Sequence, residues 1–136
     1  MKKSIFQFLF CLLISSYSIA NAQWVQSSTG LSGSAMRTMN VKDNAIWACS
    51  LNGGLFVSTN NGLSWSDKGL KNEAIYAISF KDNQIFIGTS KGLFVTTNEG
   101  NTYSDISAGL PNKFVRALLY RGNQFFVASR AISGQP

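Results

Sequence analysis

The sequence predicts an all-β protein assembled from repeats, on three observations. Two ten-residue segments nearly coincide, "STNNGLSWSD" at 58–67 and "TTNEGNTYSD" at 96–105, thirty-eight positions apart. The stretches around them repeat as well: "GLFVST" (54–59) with "GLFVTT" (92–97), and "AIYAISFKDNQIFIGTS" (74–90) with "FVRALLYRGNQFFVASR" (114–130). No window beyond the N-terminal segment has a helical period, whereas short runs of β-branched and aromatic residues alternate with Asn, Asp and Gly. A unit of 38 to 40 residues, read as four short strands, has the size of a propeller blade. The architecture expected is therefore a partial β-propeller of about two and a half four-stranded blades, preceded by an orphan outer strand.

The elements follow in order. Residues 1–22 read as a secretory signal peptide: Lys2 and Lys3 are its basic start, "IFQFLFCLLI" (5–14) its apolar stretch, and Ala20-Asn21-Ala22 its cleavage site. The apolar run is too short for a membrane anchor, and Ser15, Ser16 and Ser18 interrupt its end. Export to the periplasm or the medium is expected, with the mature chain starting at Gln23 and keeping no membrane anchor. The mature part, 23–136, is expected to be an incomplete propeller. "WVQSSTGL" (24–31) matches "YSDISAGL" (103–110) at twice the period, so Trp24–Gln26 is expected to be an outer strand without its own blade.

"AMRTMNVKDNAIWACS" (35–50) aligns with 74–89, which opens blade 1 at about 35–68; blade 2 follows at about 74–107. Only the first half of blade 3 is present, at about 114–130. Within a blade, "AIYAISF", "QIFIGTS", "LFVTTN" and "TYSDI" are the four strands. Lys81-Asp82-Asn83 and Arg121-Gly122-Asn123 are hairpin turns, because Asn and Gly tolerate positive φ. Both alternating faces of the first two strands are largely apolar, as blades packed on two neighbours require and a sheet with one wet face does not. Cys49, Gly88 and Ala128 share one aligned position, where a small side chain suits close blade-to-blade approach. A closed ring needs at least four blades, roughly 160 residues at this period. The chain is accordingly read as a truncated piece of a longer protein in preference to an assembly of copies, with open edges and a tendency to self-associate.

The repeated motif reads Ser58-x-Asn60-x-Gly62-x-Ser64-Trp65 and Thr96-x-Asn98-x-Gly100-x-Thr102-Tyr103. Its chemistry is that of a turn: glycine for a left-handed residue, hydroxyl and amide oxygens to receive turn N–H groups, and an aromatic folding back as an apolar plug. The pattern resembles the Asp-box, or BNR repeat, of sialidases, sortilin-type receptors and photosystem II assembly-factor propellers, with Asn60 and Asn98 where that family has Asp. The resemblance implies a propeller with these turns on its periphery, away from any active site. Loss of the carboxylate argues against cation binding there, so the turns are read as structural.

A candidate for binding lies elsewhere. Arg37, Tyr76 and Arg116 occupy one aligned position early in the first strand of each unit. That strand lines the channel of a propeller, so the three are candidates for a channel-rim site. The resemblance adds an arginine patch on one face of assembly-factor propellers and the three carboxylate-binding arginines of sialidases; guanidinium forks grip carboxylates in pairs. The competing reading has Arg37 and Arg116 pairing with Asp67, Asp105 or water.

Composition excludes more than it names. The chain has no His, which removes the commonest general base and metal ligand. Cys49 is the one cysteine of the mature part, so no disulfide can form within it; burial as a small filler is expected. Without Lys2 and Lys3 the twelve basic residues become ten against six acidic ones, a net charge of about +4. These are scattered, so solubility and not nucleic-acid binding is read from them. No cofactor or metal is expected. A sialidase-like glycoside hydrolase would need a Tyr nucleophile paired with a Glu and an acid Asp. The mature part has only Glu73 and Glu99 as glutamates, in loop and turn, and no F/Y-R-I-P signature. The reading is an exported, non-catalytic propeller module, a scaffold or a binder of a protein or an anionic ligand, with a truncated sialidase-like hydrolase as the alternative.

Overall fold

The computed structural model describes residues 25–32 and 35–130. The signal peptide expected at 1–22, Trp24 and the last six residues lie outside them. Ten strands follow in sequence: β1 (Met36–Lys42), β2 (Ala45–Ser50), β3 (Leu55–Ser58), β4 (Ser66–Asp67), β5 (Ile75–Lys81), β6 (Gln84–Thr89), β7 (Leu93–Thr96), β8 (Ser104–Asp105), β9 (Val115–Arg121) and β10 (Gln124–Ser129). They form antiparallel sheets ordered β1-β2-β3-β4, β5-β6-β7-β8 and β10-β9. The described part of the protein is thus all-β, a partial propeller of two four-stranded blades and a two-stranded third. The outermost strands are shorter than expected, two residues each, because the aromatic before them turns inward and leaves the ladder.

Hairpin chemistry sets the register of the first two strands in every blade. Each pair is joined by two residues, Asp43-Asn44, Asp82-Asn83 or Gly122-Asn123. Positive φ falls on the first of them, at 54° for Asp43, 50° for Asp82 and 59° for Gly122. The left-handed residue is therefore the Asp or Gly, and not the Asn.

Packing is between blades. Trp47, Cys49, Leu55 and Val57 of blade 1 meet Ile75, Ile78, Ile85 and Ile87 of blade 2 in one apolar cluster. Phe86 and Leu93 of blade 2 meet Val115 of blade 3, with Leu118, Phe125 and Val127 against them. The innermost strands lie side by side, β5 between β1 and β9. Blade 2 is consequently covered on both faces, and β6 is buried over all but its first residue. A Cβ added to Gly88 would sit 2.6 Å from Val115 Cγ1, which explains a glycine in the tightest part of the second interface.

Residues 25–32 do not form the expected orphan strand: the described part of that segment makes no ladder pairing. An outer strand pairs with the third strand of its own blade, and β3 and β7 are already paired on both sides. Instead the segment lies on blade 1, where Trp65 N–H donates to the Thr29 carbonyl at 2.9 Å. At the next junction the repeat-equivalent carbonyl, that of Lys68, is taken by a side chain instead, the Tyr103 hydroxyl donating to it at 2.5 Å.

Candidate functional site

The repeated turns are closed by their own side chains. Ser58 Oγ accepts from Gly62 N–H at 2.8 Å and donates to Asn60 Oδ1 at 2.9 Å. Asn60 Oδ1 also accepts from Ser64 N–H at 2.9 Å, while its Nδ2 donates to Ser64 Oγ at 2.8 Å. The second copy repeats each bond: Thr96 Oγ1 with Gly100 N–H at 3.0 Å and Asn98 Oδ1 at 2.9 Å, and Asn98 with Thr102 N–H and Oγ1 at 2.9 Å. Asparagine thus does more than keep an acceptor, since its amide also supplies a donor that a carboxylate lacks. Gly62 and Gly100 have φ of 84° and 81°, as a left-handed turn needs, but so do their neighbours Asn61 and Glu99 at 55°. Nothing in the sequence marked those two. Trp65 is buried against Ala48 and Phe56, and half-buried Tyr103 packs on the first inter-blade cluster. The hydroxyl and amide groups of Ser58, Asn60, Ser64, Thr96, Asn98 and Thr102 are thus engaged within their own loops, while the Trp65 indole N–H is buried without a hydrogen-bond partner among the described residues.

The opposite end of the blades is different. Pairing between the first two strands jumps at one place in each blade: Met36 and Thr38 face Ser50 and Cys49, Ile75 and Ala77 face Thr89 and Gly88, and Val115 and Ala117 face Ser129 and Ala128. The residue left over is Arg37, Tyr76 and Arg116 in turn. Each is the extra residue of a β-bulge, a device that re-aims a side chain out of the pleat. The bulges bring the three together. The guanidinium carbons of Arg37 and Arg116 stand 5.5 and 5.6 Å from the centre of the Tyr76 ring. Phe114 completes the group, its ring 4.8 Å from that of Tyr76 and 5.1 Å from the Arg116 guanidinium. Sequence comparison missed Phe114, although its place two residues before Arg116 was a usable signal once the bulge was known.

Neither arginine forms an ion pair among the described residues. The carboxylates offered as their partners are engaged elsewhere: Asp67 with Lys71 Nζ at 2.6 Å and Gly69 N–H at 2.7 Å, and Asp105 with the N–H and hydroxyl of Ser107. Those bonds hold both carboxyls below the ordinary Asp value, Asp67 chiefly through Lys71 and Asp105 through the Ser107 hydroxyl. Arg37 and Arg116 are exposed, so the cluster is a pair of cationic forks braced on an aromatic ring, open to solvent. Glu73, the one carboxylate near Tyr76 in sequence, accepts from Lys91 Nζ at 2.7 Å. No hydrogen bond joins it to the tyrosine among the described residues. Nor do those residues hold a group of three His, Cys, Asp or Glu able to ligate a metal.

A concavity of about 570 Å³ lies between blades 1 and 2 at the hairpin end. Lys42, Asp43, Lys68, Asn83, Asn98 and Glu99 line its mouth. Asn98 is spent on closing the turn, and Lys42 pairs with Asp43 at 3.3 Å.

Sheets in radial succession, each buried on its neighbour, are matched by a family-level similarity. Residues 12–129 match the DUF6242 beta propeller domain. The chain belongs to that family. No curated protein matches it. Among solved structures, the computationally designed Ika4 protein is similar with a TM-score of 0.56 at 20% identity, over 71% of this chain and 61% of that one. The computationally designed Ika8 protein is similar with a TM-score of 0.55 at 22% identity, over 71% of this chain and 30% of that one. The chain thus spans less than two thirds of the length of either design, and at such identity the likeness concerns the fold alone.

Proposed function

We propose that this DUF6242 propeller is an exported, non-catalytic binding module that holds an anionic group, a carboxylate of a protein or a small ligand, at its channel rim. One observation carries the reading: three aligned bulges aim Arg37, Tyr76 and Arg116 at one another, and the arginines keep their charge unpaired among the described residues. Guanidinium groups held against an aromatic face lose less side-chain freedom when they take up a bidentate anion. The closed hydrogen-bond loops at 58–65 and 96–103 support reading them as Asp-box turns of the sialidase and sortilin type, here with a structural role only.

Binding is tested by calorimetry of the chain with citrate and with a hexaglutamate peptide. Arg37→Gln and Arg116→Gln are each expected to weaken binding about tenfold, the size of one charge-assisted hydrogen bond, and Lys113→Gln to leave it unchanged. Equal affinity in all four proteins overturns the site. Incubation with a sialyl glycoside checks the non-catalytic reading, for which sugar release would be fatal. N-terminal sequencing of protein recovered outside the cytoplasm should begin at Gln23.

A further inference from the structure

The concavity between blades 1 and 2 sits where two residues depart from the repeat. Ala45 lines it, at a position where the other two units carry Gln84 and Gln124. Ile85 lines it too, where the third unit carries Phe125. At the counterpart place between blades 2 and 3 the larger side chains are packed together. The Phe125 ring lies 4.5 Å from that of Phe86 and 5.7 Å from that of Tyr120, and Lys81 Nζ stands 4.8 Å over Tyr120. Between blades 1 and 2 the rings of Trp47 and Phe80 are 6.2 Å apart, and Lys42 turns to Asp43. What remains is a hollow of about 570 Å³, a size usual for small-molecule sites, at the end of the blades away from the arginine rim.

Its lining is apolar below and polar above. Trp47, Val57 and Ile85 make the floor, at 4%, 6% and 2% exposure. At the mouth stand the side-chain amides of Asn44, Asn83 and Asn101, which, unlike that of Asn98, make no hydrogen bond among the described residues. The charges cancel: Lys42 and Lys68 are balanced by Asp43 and Glu99. We propose that this hollow is a binding site for a neutral saccharide, separate from the channel rim. An amide both donates and accepts, as a sugar hydroxyl does, so three unspent amides suit a ligand whose edge is a row of hydroxyls. The floor covers the C–H face of such a ring. A lining without net charge offers a charged ligand little return for leaving water. A flat heterocycle would need an open ring to stack on, and Trp47 is too deeply buried to offer one.

The test is an NMR titration of the isotope-labelled full chain with the methyl glycosides of glucose, galactose and mannose, and with maltose and cellobiose. Concentrations run up to ~50 mM, where a millimolar site is nearly saturated. At least one sugar should shift the side-chain amide signals of Asn44, Asn83 and Asn101 together, and saturating citrate should not displace it. Ala45→Gln restores the residue of the other two units and should weaken that sugar at least ~fivefold by refilling the hollow, with unchanged circular dichroism. Asn83→Ala, on an exposed turn that leaves the core alone, should weaken it about fivefold, the size of one neutral hydrogen bond. Lys113→Gln, outside the hollow, should change nothing. The proposal is overturned by no shift with any of the sugars, or by undiminished affinity in either variant of the hollow. Tighter binding of glucuronate or glucosamine than of the neutral glycosides overturns it as well. None of these results touches the rim, which is judged by citrate alone.

Discussion

Thr96→Val separates a hydrogen-bonding role for the turn motif from a merely steric one. Thr96 is 2% exposed at the end of β7, and valine matches its shape and its strand preference, so no cavity opens. What disappears is Oγ1, which accepts from Gly100 N–H at 3.0 Å and Asn98 N–H at 3.3 Å and donates to Asn98 Oδ1 at 2.9 Å. Gly100 is buried, so its N–H is left without a partner, at a cost of about 1–3 kcal/mol. Removing the hydroxyl's own burial offsets part of this, and a net loss of about 2 kcal/mol is expected. In a domain of this size that lowers Tm by roughly 8 °C. Urea unfolding at fixed protein concentration, followed by tryptophan fluorescence and by circular dichroism, measures it; the midpoint should fall with an unchanged slope. Thr96→Ser keeps the oxygen and should recover most of the loss. A loss in Thr96→Val below about 0.5 kcal/mol would refute the reasoning, since the buried N–H would then have another partner or water.

Three other outcomes are expected. Gly88→Ala pushes a methyl against the β-branched, fully buried Val115 and should destabilise by about 1–3 kcal/mol, read as a lower urea midpoint. Cys49 is 0% exposed and burial pushes its thiol up to about 12, so a disulfide reagent at neutral pH should label it only after unfolding. Asp67 is held below the ordinary Asp value by Lys71 and Gly69. Its lower value in the folded state makes its contribution complete above the unfolded value of about 3.9 and removes it as pH falls below that. Urea midpoints taken from pH 7 to pH 2.5 should therefore fall below pH ~4, and fall less in Asp67→Asn.

The turns were legible because their bonds are local. Ser58 to Gly62 and Asn60 to Ser64 are four residues apart, so the residue types and their spacing specify the loop whatever surrounds it. The site was half legible. Alignment put Arg37, Tyr76 and Arg116 at equivalent positions, but the bulge that frees them is a property of pairing between two strands, and Phe114 joins from a loop. The choice of Tyr76 as their neighbour, with Asp67 and Asp105 bonded elsewhere, depended on how adjacent blades stand.

Repeat length, strand positions and turn chemistry were thus determined by the sequence alone. Burial was not. β1, β5 and β9 are copies of one strand, yet Ile78 is 6% exposed and its counterpart Met39 55%. The hydrophobic pattern states which faces need cover, but cover is provided by neighbouring sheets, so only the tertiary structure decides which of them have it.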